Sequence, residues 1–324
     1  MRALVFDSFG GPEVLQLREV PDPVPSPQQA LVRTRAIGLN FADVYRRQGH
    51  YHLAGEPPWI AGYEASGVIV SAPHDSGFEP GDRVAFADSP HANAELVAVD
   101  PDRLVRLPDD IDFDTAAALL LQGLTAQYLI RDSHALRAGE TVLVHAAAGG
   151  VGQLLVQLAV AAGGRVFGLA STREKCHVAR VAGAQDAATY ADDWVARAQV
   201  FGSNPIHGGG VDVAYDSVGS TLLDSLRTAR IGGHVVFYGM AGGDPAPVDP
   251  RMLMDGSKTL TGGDLWNVLR TPADRRGRSA ELFDAVRRGK LKVNIDARYP
   301  LGDGAAAHAH LESRRALGKV LLIP

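Results

Sequence analysis

Cysteine is nearly absent: Cys176 is the single thiol in 324 residues. An intrachain disulfide is therefore excluded, as is any zinc centre built from several thiolates, and the usage fits a reducing compartment. Positive charge is not in excess either. A formal net charge of −5 and a pI near 6.1 argue against nucleic acid or an anionic membrane surface as partner. Long apolar runs are missing, with nothing near the roughly 18 residues that a membrane-crossing helix requires. The opening stretch, Met1 to Asp7, reaches an acid too soon for the apolar region of a secretory signal. No internal repeat or low-complexity tract interrupts the chain. These absences make a cytoplasmic protein the expectation.

What is present is ordinary for a globular protein, 46 % hydrophobic and 21 % charged, and the length is enough for two domains with large cores. The chain is organised around Glu140 to Lys175. Thr141-Val142-Leu143-Val144-His145 reads as a short strand, Ala146-Ala147-Ala148-Gly149-Gly150-Val151-Gly152 as a turn, and Leu154, Leu155, Leu158, Ala159 and Ala162 recur at helical spacing. Arg165-Val166-Phe167-Gly168-Leu169 is then a second parallel strand, completing a βαβ unit. Crowded glycines let backbone approach a pyrophosphate, and the unpaired N–H groups opening the helix attract its charge. In the G-x-G-x-x-G register Ala147 holds the first glycine position, while Gly149 and Gly152 fill the other two.

Before this unit lie short strands broken by proline and glycine: Ala3–Phe6, Val14–Val20, Ala30–Ala36, Gly67–Val70, Arg83–Phe86 and Glu95–Val99. They predict a compact, mostly antiparallel β domain. Pro21 to Pro27 is a connector, because its prolines lack N–H donors, and Asn40 to Gly49 reads as a short helix closed by glycine. The alanine- and leucine-rich stretch Asp114–Ala126 is a helix leading into the second domain. Strands Asp186–Tyr190, Val211–Tyr215, Val235–Tyr238 and Lys258–Gly262 then alternate with helices Arg173–Ala182, Asp192–Phe201 and Thr221–Arg230, the pattern of a doubly wound parallel sheet. A helix at Pro272–Arg288, a strand at Lys292–Ile295 and the terminal Val320–Ile323 are expected to fold back onto the first domain.

Asn40-Phe41-Ala42-Asp43, Gly62-Tyr63-Glu64-Ala65-Ser66-Gly67, Gly81-Asp82-Arg83-Val84, Gly123-Leu124-Thr125-Ala126, His145–Gly152, Tyr215-Asp216-Ser217-Val218-Gly219 and Leu321-Leu322-Ile323-Pro324 occur in this order. Together they resemble the zinc-free, NADPH-dependent quinone oxidoreductases of the medium-chain dehydrogenase/reductase superfamily, the branch that includes zeta-crystallin. The resemblance spans the whole chain. It implies an α/β fold with a Rossmann doubly wound parallel sheet domain at 123–264 and a GroES-like, mostly antiparallel β catalytic domain made of 1–122 and 265–324, with a cofactor cleft at their junction. The chain departs from relatives at Val160, often basic elsewhere, and at Gly262-Gly263-Asp264, where similar bacterial enzymes carry Arg-Pro.

The resemblance also bears on metal. Catalytic zinc in the alcohol dehydrogenases of this superfamily is held by two thiolates and an imidazole. Here the first ligand place is Asn40 and the histidine place is Tyr63. No metal is expected, so the acceptor must take hydride without Lewis-acid help, as a quinone or an electron-poor alkene does. For the cofactor, a fold preferring NAD places an acid about 20 residues past the turn, whereas this chain runs Ala170-Ser171-Thr172-Arg173-Glu174-Lys175 with no acid at that point. By resemblance the residues that hold the 2′-phosphate fall on Lys175, Tyr190 and Arg314, so NADPH is expected, with Gly149, Gly150, Val151, Gly152, Ser171, Thr172 and Ser217 also cofactor-binding.

At the nicotinamide end the resemblance implies Asn40, Phe41, Asp43, Tyr45, Thr125, Tyr128, Tyr238, Gly239, Met240, Ala241, Gly263, Asp264 and Leu265, with Asn40, Tyr45 and Tyr51 as catalytic candidates. Aromatic walls suit a flat quinone, and a donor such as Asn40 or Tyr51 would stabilise the charge that hydride creates on oxygen. Two other readings stand beside this one. Tyr51 occupies the place of the tyrosine used by 2-enoyl thioester reductases of the same superfamily, and the crystallin resemblance permits a non-enzymatic NADPH-binding protein. A homodimer is expected through Lys258–Gly262, a late strand placed at the sheet edge with no proline or charge in Thr259-Leu260-Thr261 to block pairing.

Overall fold

A computed structural model describes residues 1–53, 55–206 and 208–324. The chain divides into two compact units, Met1–Leu124 with Leu269–Pro324, and Thr125–Val268.

In the first unit a seven-stranded sheet runs Ile295–Pro300, Lys319–Ile323, Ala30–Gly38, Glu64–Ser71, Arg83–Ala87 and Leu104–Arg106, with Leu96–Val99 also paired to Ala30–Gly38. Arg33 and Arg35 face solvent while Ala30, Val32 and Thr34 are buried, the alternation expected of a sheet covered on one face. The C-terminus does return to this unit. Lys319–Ile323 lies antiparallel to Ala30–Gly38, with Leu321 opposite Gly38 and Leu322 opposite Ile37. A smaller sheet, Gln16–Glu19, Arg2–Phe6 and Trp59–Ile60, packs Leu4 and Phe6 into a core shared with Ile37, Phe86, Leu104 and Leu322.

The second unit is a six-stranded parallel sheet ordered Asp186–Thr189, Arg165–Ala170, Thr141–Val144, Val211–Asp216, Ala229–Phe237, Thr259–Gly262. This order, 3-2-1-4-5-6 along the chain, is the doubly wound dinucleotide arrangement. All four residues of Thr141–Val144 are buried, as a strand covered on both faces requires. Thr259–Gly262 is the edge strand, paired with Ala229–Phe237.

Several local expectations change. Val14–Val20 is not one strand: Pro12 opens a 3-10 turn through Val14, and the strand is Gln16–Glu19. The helix expected to reach Arg230 ends at Thr228, because the chain passes straight into a strand that runs through Gly232 and Gly233. Lys292–Ile295 is a connector up to its last residue, with Asn294 tied to Leu317 through its side chain and to Lys319 N through its carbonyl, and the strand is Ile295–Pro300. Strands Trp59–Ile60 and Leu104–Arg106, too short for a periodicity signal, were not anticipated. Among the described residues no helix is long and apolar enough to cross a membrane.

Candidate active site

In the second unit the residues singled out gather where loops leave the carboxyl ends of the parallel strands, the edge at which such sheets bind ligands. The turn after Thr141–Val144 opens the helix Gly150–Ala161, whose N-cap is Gly149 with no side-chain cap. Its first N–H groups are thus left for an anion. A Cβ at Gly152 would stand 2.2 Å from the Ala146 carbonyl oxygen, so only glycine lets this helix approach the turn. The left-handed residue is Ala146, at φ +46°, whereas Gly149 is extended at φ −77°. The glycines therefore provide space rather than the unusual backbone angle. Ala147 at the first glycine position is fully buried, and a Cβ on Gly168 would lie 3.1 Å from its own.

At the end of Arg165–Ala170, Ser171 is exposed and the Thr172 hydroxyl accepts from Lys175 N (3.2 Å), capping the helix Arg173–Val181. Three further strand ends are laced by backbone bonds: Tyr238 N to Asp216 O (2.9 Å), Ala241 N to Ser217 O (3.0 Å) and Gly263 N to Phe237 O (3.1 Å). These bring Ser217, Tyr238, Gly239, Met240, Ala241 and Gly263 together, followed by Asp264, whose carboxylate accepts from Trp266 N (3.1 Å), and buried Leu265. Tyr128 joins them, since a Cβ on Gly263 would meet its hydroxyl at 2.9 Å. Thr125 is buried one turn before Tyr128 on the same helix, Phe113–Tyr128.

A buried relay lies behind the turn. Ala146 N donates to Tyr190 Oη (2.9 Å), which is 3.4 Å from His145 Nδ1. Ser225 Oγ lies 2.9 Å from His145 Nε2 and donates to Asp216 Oδ2 (2.6 Å), as does Thr221 Oγ1 (2.8 Å). Asp216 Oδ1 accepts from Val218 N (2.8 Å) and Gly219 N (3.0 Å). With the Ser225 hydroxyl donating to Asp216, His145 donates from Nε2 and accepts at Nδ1. Burial lowers the His145 pKa against the pull of Asp216 and Asp224, keeping the ring neutral. Burial alone would raise Asp216, but His145, the Ser225 and Thr221 hydroxyls and the Gly219 amide hold it below the ordinary carboxylate range. The Tyr190 hydroxyl is thus engaged with the turn itself.

The first unit holds a second cluster. Asn40 precedes the helix Phe41–Arg47, and Asp43 reaches back to accept from Asn40 N (2.9 Å). Asn40 Nδ2 donates to Gly38 O (3.2 Å) and Glu64 Oε2 (2.9 Å), while its oxygen accepts from Lys319 Nζ (2.8 Å) and Gln122 Nε2 (3.4 Å). Lys319 Nζ also donates to Glu64 Oε2 (2.6 Å), and Leu121 N to Glu64 Oε1 (2.6 Å). Both hydrogens of the Asn40 side-chain amide are thus committed within the protein. Burial raises the Asp43 pKa, opposed by Arg46 at 3.4 Å. The Arg46 guanidinium lies 3.4 Å over the Tyr63 ring and 5.0 Å from that of Tyr51. Phe41 and Tyr45 are half-buried with ring centroids 6.2 Å apart. Arg314 belongs to this unit, exposed at φ +59° after the helix Gly304–Glu312.

Sequence reasoning missed Lys319, Arg46, Thr221 and Ser225, and used Glu64, His145 and Asp216 only as motif letters. One signal was available: Lys319 is a cation directly before the apolar run Val320–Ile323.

A family model described as alcohol dehydrogenase GroES-like domain matches residues 26–136, and one described as zinc-binding dehydrogenase matches 182–322. The quinone oxidoreductase of Pseudomonas aeruginosa is 39 % identical over 100 % of this chain and 99 % of its own. The chain belongs to the quinone oxidoreductase family. Within that family, Escherichia coli quinone oxidoreductase complexed with NADPH superposes at a TM-score of 0.95 with 35 % identity, covering both chains in full. A 2-haloacrylate reductase from a Burkholderia species is 37 % identical over 99 % of this chain and 98 % of its own. Zinc does not fit this member of the family at the places named above. Asn40 contacts an ammonium there, Tyr63 a guanidinium, and among the described residues no group of three or more histidine, cysteine or acidic side chains is arranged to hold a metal.

Proposed function

We propose that the protein reduces quinones with NADPH by hydride transfer, without a metal. The observation that carries this reading is the strand end at Ala170, where hydroxyls and Lys175 stand in place of the acid that binds an unphosphorylated ribose. The amino end of Gly150–Ala161, free of side-chain capping, takes the pyrophosphate, and Lys175, Tyr190 and Arg314 are the residues assigned to the 2′-phosphate. When bound, NADPH supplies the hydride. In the second unit Thr125, Tyr128, Ser217, Tyr238–Ala241 and Gly263–Leu265 orient the nicotinamide end; in the first, Phe41 and Asp43 are assigned to the cofactor, Tyr45 offers an aromatic wall, and the Tyr51 hydroxyl donates to the acceptor oxygen as charge develops there. Asn40 serves by holding the start of the Tyr45 helix.

A second reading, reduction of an electron-poor alkene, is favoured by one feature. That feature is the 37 % identity to a 2-haloacrylate reductase, and the Tyr51 hydroxyl would stabilise the enolate charge that an alkene acceptor gains. We also infer a cytoplasmic homodimer. The edge strand Thr259–Gly262 carries no proline or charge and pairs on one side with Ala229–Phe237, which supports strand addition across a two-fold axis.

Oxidation of NADPH with quinones, enones and enoyl thioesters, with semiquinone followed by electron paramagnetic resonance, tests the activity. Quinone is expected to give the highest kcat/KM, NADPH to exceed NADH, and Lys175→Ala to raise the KM for NADPH. A higher kcat/KM with NADH would overturn the cofactor assignment. Tyr51→Phe is expected to lower quinone turnover modestly; near-complete loss with an enoyl thioester as the preferred acceptor would favour the alkene reading. Sedimentation showing a single 34.3 kDa species would rule out the dimer.

A further inference from the structure

We infer that Lys319 is a positioning residue: its enclosed ammonium locks the Asn40 amide and the Glu64 carboxylate, and through Asn40 sets the start of the helix that carries Tyr45. The inference rests on the functional reading of Phe41, Asp43 and Tyr45 given above.

Lys319 and Glu64 side chains are both 0 % exposed, and they meet at 2.6 Å although 255 residues separate them in the chain. An isolated lysine in such surroundings loses its hydration without return, so its charge is retained only because a carboxylate faces it. Glu64 alone would satisfy that need. The second bond is the informative one: Nζ also donates to Asn40 Oδ1 at 2.8 Å, shorter than the 3.4 Å bond from Gln122 to the same oxygen. With Nδ2 committed to Glu64 and Gly38, the amide has one orientation that satisfies all its atoms. Without the ammonium, the carbonyl oxygen keeps a single long partner.

Asn40 passes the constraint on. Its carbonyl accepts from Asp43 N (2.9 Å) and its own N–H is held by the Asp43 carboxylate, so the first turn of Phe41–Arg47 is tied to the residue that Lys319 fixes. Leu121 N on Glu64 Oε1 ties the helix Phe113–Tyr128 to the same carboxylate. The ammonium is enclosed and does not touch an acceptor. Its effect is on geometry, and misplacement of about 1 Å costs on the order of a hundredfold in rate.

The competing explanation is charge balance for Glu64 alone, and a paired substitution separates the two. Lys319→Met should be unstable, and its stability should rise as pH falls from 8 to 5. The unpaired carboxylate then has a raised folded pKa, so the stability present at low pH is lost as pH rises through it. The double variant E64Q/K319M removes both charges. Its melting temperature is expected to return towards that of the unsubstituted protein and its pH dependence to vanish. Its kcat with quinone should nevertheless stay about tenfold or more below that of the parent, with the KM for NADPH little changed. Hydrogen exchange at the backbone amides of Asp43 and Val44 gives a readout that needs no activity, and should be faster in the double variant. A double variant with parental kcat and parental exchange would overturn the inference. If the parent itself fails to reduce quinones, the functional reading fails, and the exchange comparison still decides the role of Lys319.

Discussion

The carboxylates wholly withdrawn from solvent in the two units, Glu64 and Asp216, both lie beside residues assigned to chemistry and are neutralised by opposite means. Glu64 is matched by a full cation, Lys319, with Leu121 N and the Asn40 amide completing its shell. Asp216 has no cation against it among the described residues; two hydroxyls, two backbone N–H groups and a histidine kept neutral share its charge. An ion pair concentrates its stabilisation in two atoms, so that losing either partner leaves the other buried and uncompensated. A set of dipoles distributes it, and each member can be lost at the cost of one hydrogen bond. The first arrangement fixes one geometry. The second couples several elements, here the strand ending at Asp216, the helix Leu222–Thr228 and, through Tyr190, the phosphate turn.

The sharpest test neutralises each carboxylate isosterically. Glu64→Gln leaves Lys319 without its counter-charge and should cost about 3–5 kcal/mol of unfolding free energy. Asp216→Asn keeps an oxygen for Val218 N and Gly219 N, and the Ser225 and Thr221 hydroxyls can turn to accept from the new amide, so about 1–3 kcal/mol is expected. Denaturant titrations of the two variants measure both values. Equal losses would break the comparison.

Acid reaches both units through buried histidines. In the first, His308 sits against Arg47, which also pairs with Glu312, and burial together with that guanidinium pushes its pKa down to about 3. In the second, burial lowers His145. A histidine whose folded pKa lies below its unfolded value of about 6.5 contributes stability that is present above that value and lost as pH falls below it. For His308 the loss should continue to about pH 3, at about 1.4 kcal/mol per pH unit. Unfolding free energies measured between pH 7 and 5 should therefore decline, and His308→Gln, whose amide oxygen can still accept from Arg47, should flatten part of the slope. A flat profile in the parent would contradict both assignments.

The parts legible in the sequence were those written in local periodicity: the βαβ unit around Gly149–Gly152, the alternation that gives the parallel sheet, and the edge placement of Thr259–Gly262. The return of Val320–Ile323 to the first domain was legible too, as an apolar strand at the end of the chain. What stayed hidden was non-local or angular. Nothing near Lys319 announces Glu64, and the left-handed angle in the turn falls on Ala146, a residue type that ordinarily avoids it. Lys292 to Asn294 has a strand-like composition, but the carbonyl of Asn294 serves Lys319 N (2.8 Å) as part of a connector.

The smallest expected effect probes the distributed cluster from within. Thr221→Val keeps the shape of the side chain and removes one hydroxyl from Asp216 Oδ2, which retains Ser225 at 2.6 Å. A carboxylate with four donors that loses one should cost the protein about 1 kcal/mol, within the range of a single hydrogen bond. Thr221 Oγ1 also lies 3.4 Å from His145 Nδ1, and Tyr190 Oη stands at the same 3.4 Å, so the ring nitrogen keeps a partner. Thr221→Val should therefore leave the phosphate turn in place, with the KM for NADPH close to that of the parent. Ser225→Ala should differ in that respect. It removes the atom that joins His145 Nε2 to Asp216 and releases the histidine against which Tyr190 is set. A rise in the KM for NADPH in Ser225→Ala, at a stability loss similar to that of Thr221→Val, would show that the relay transmits position to the turn. The same KM in both variants would reduce it to a stabilising contact between strand and helix.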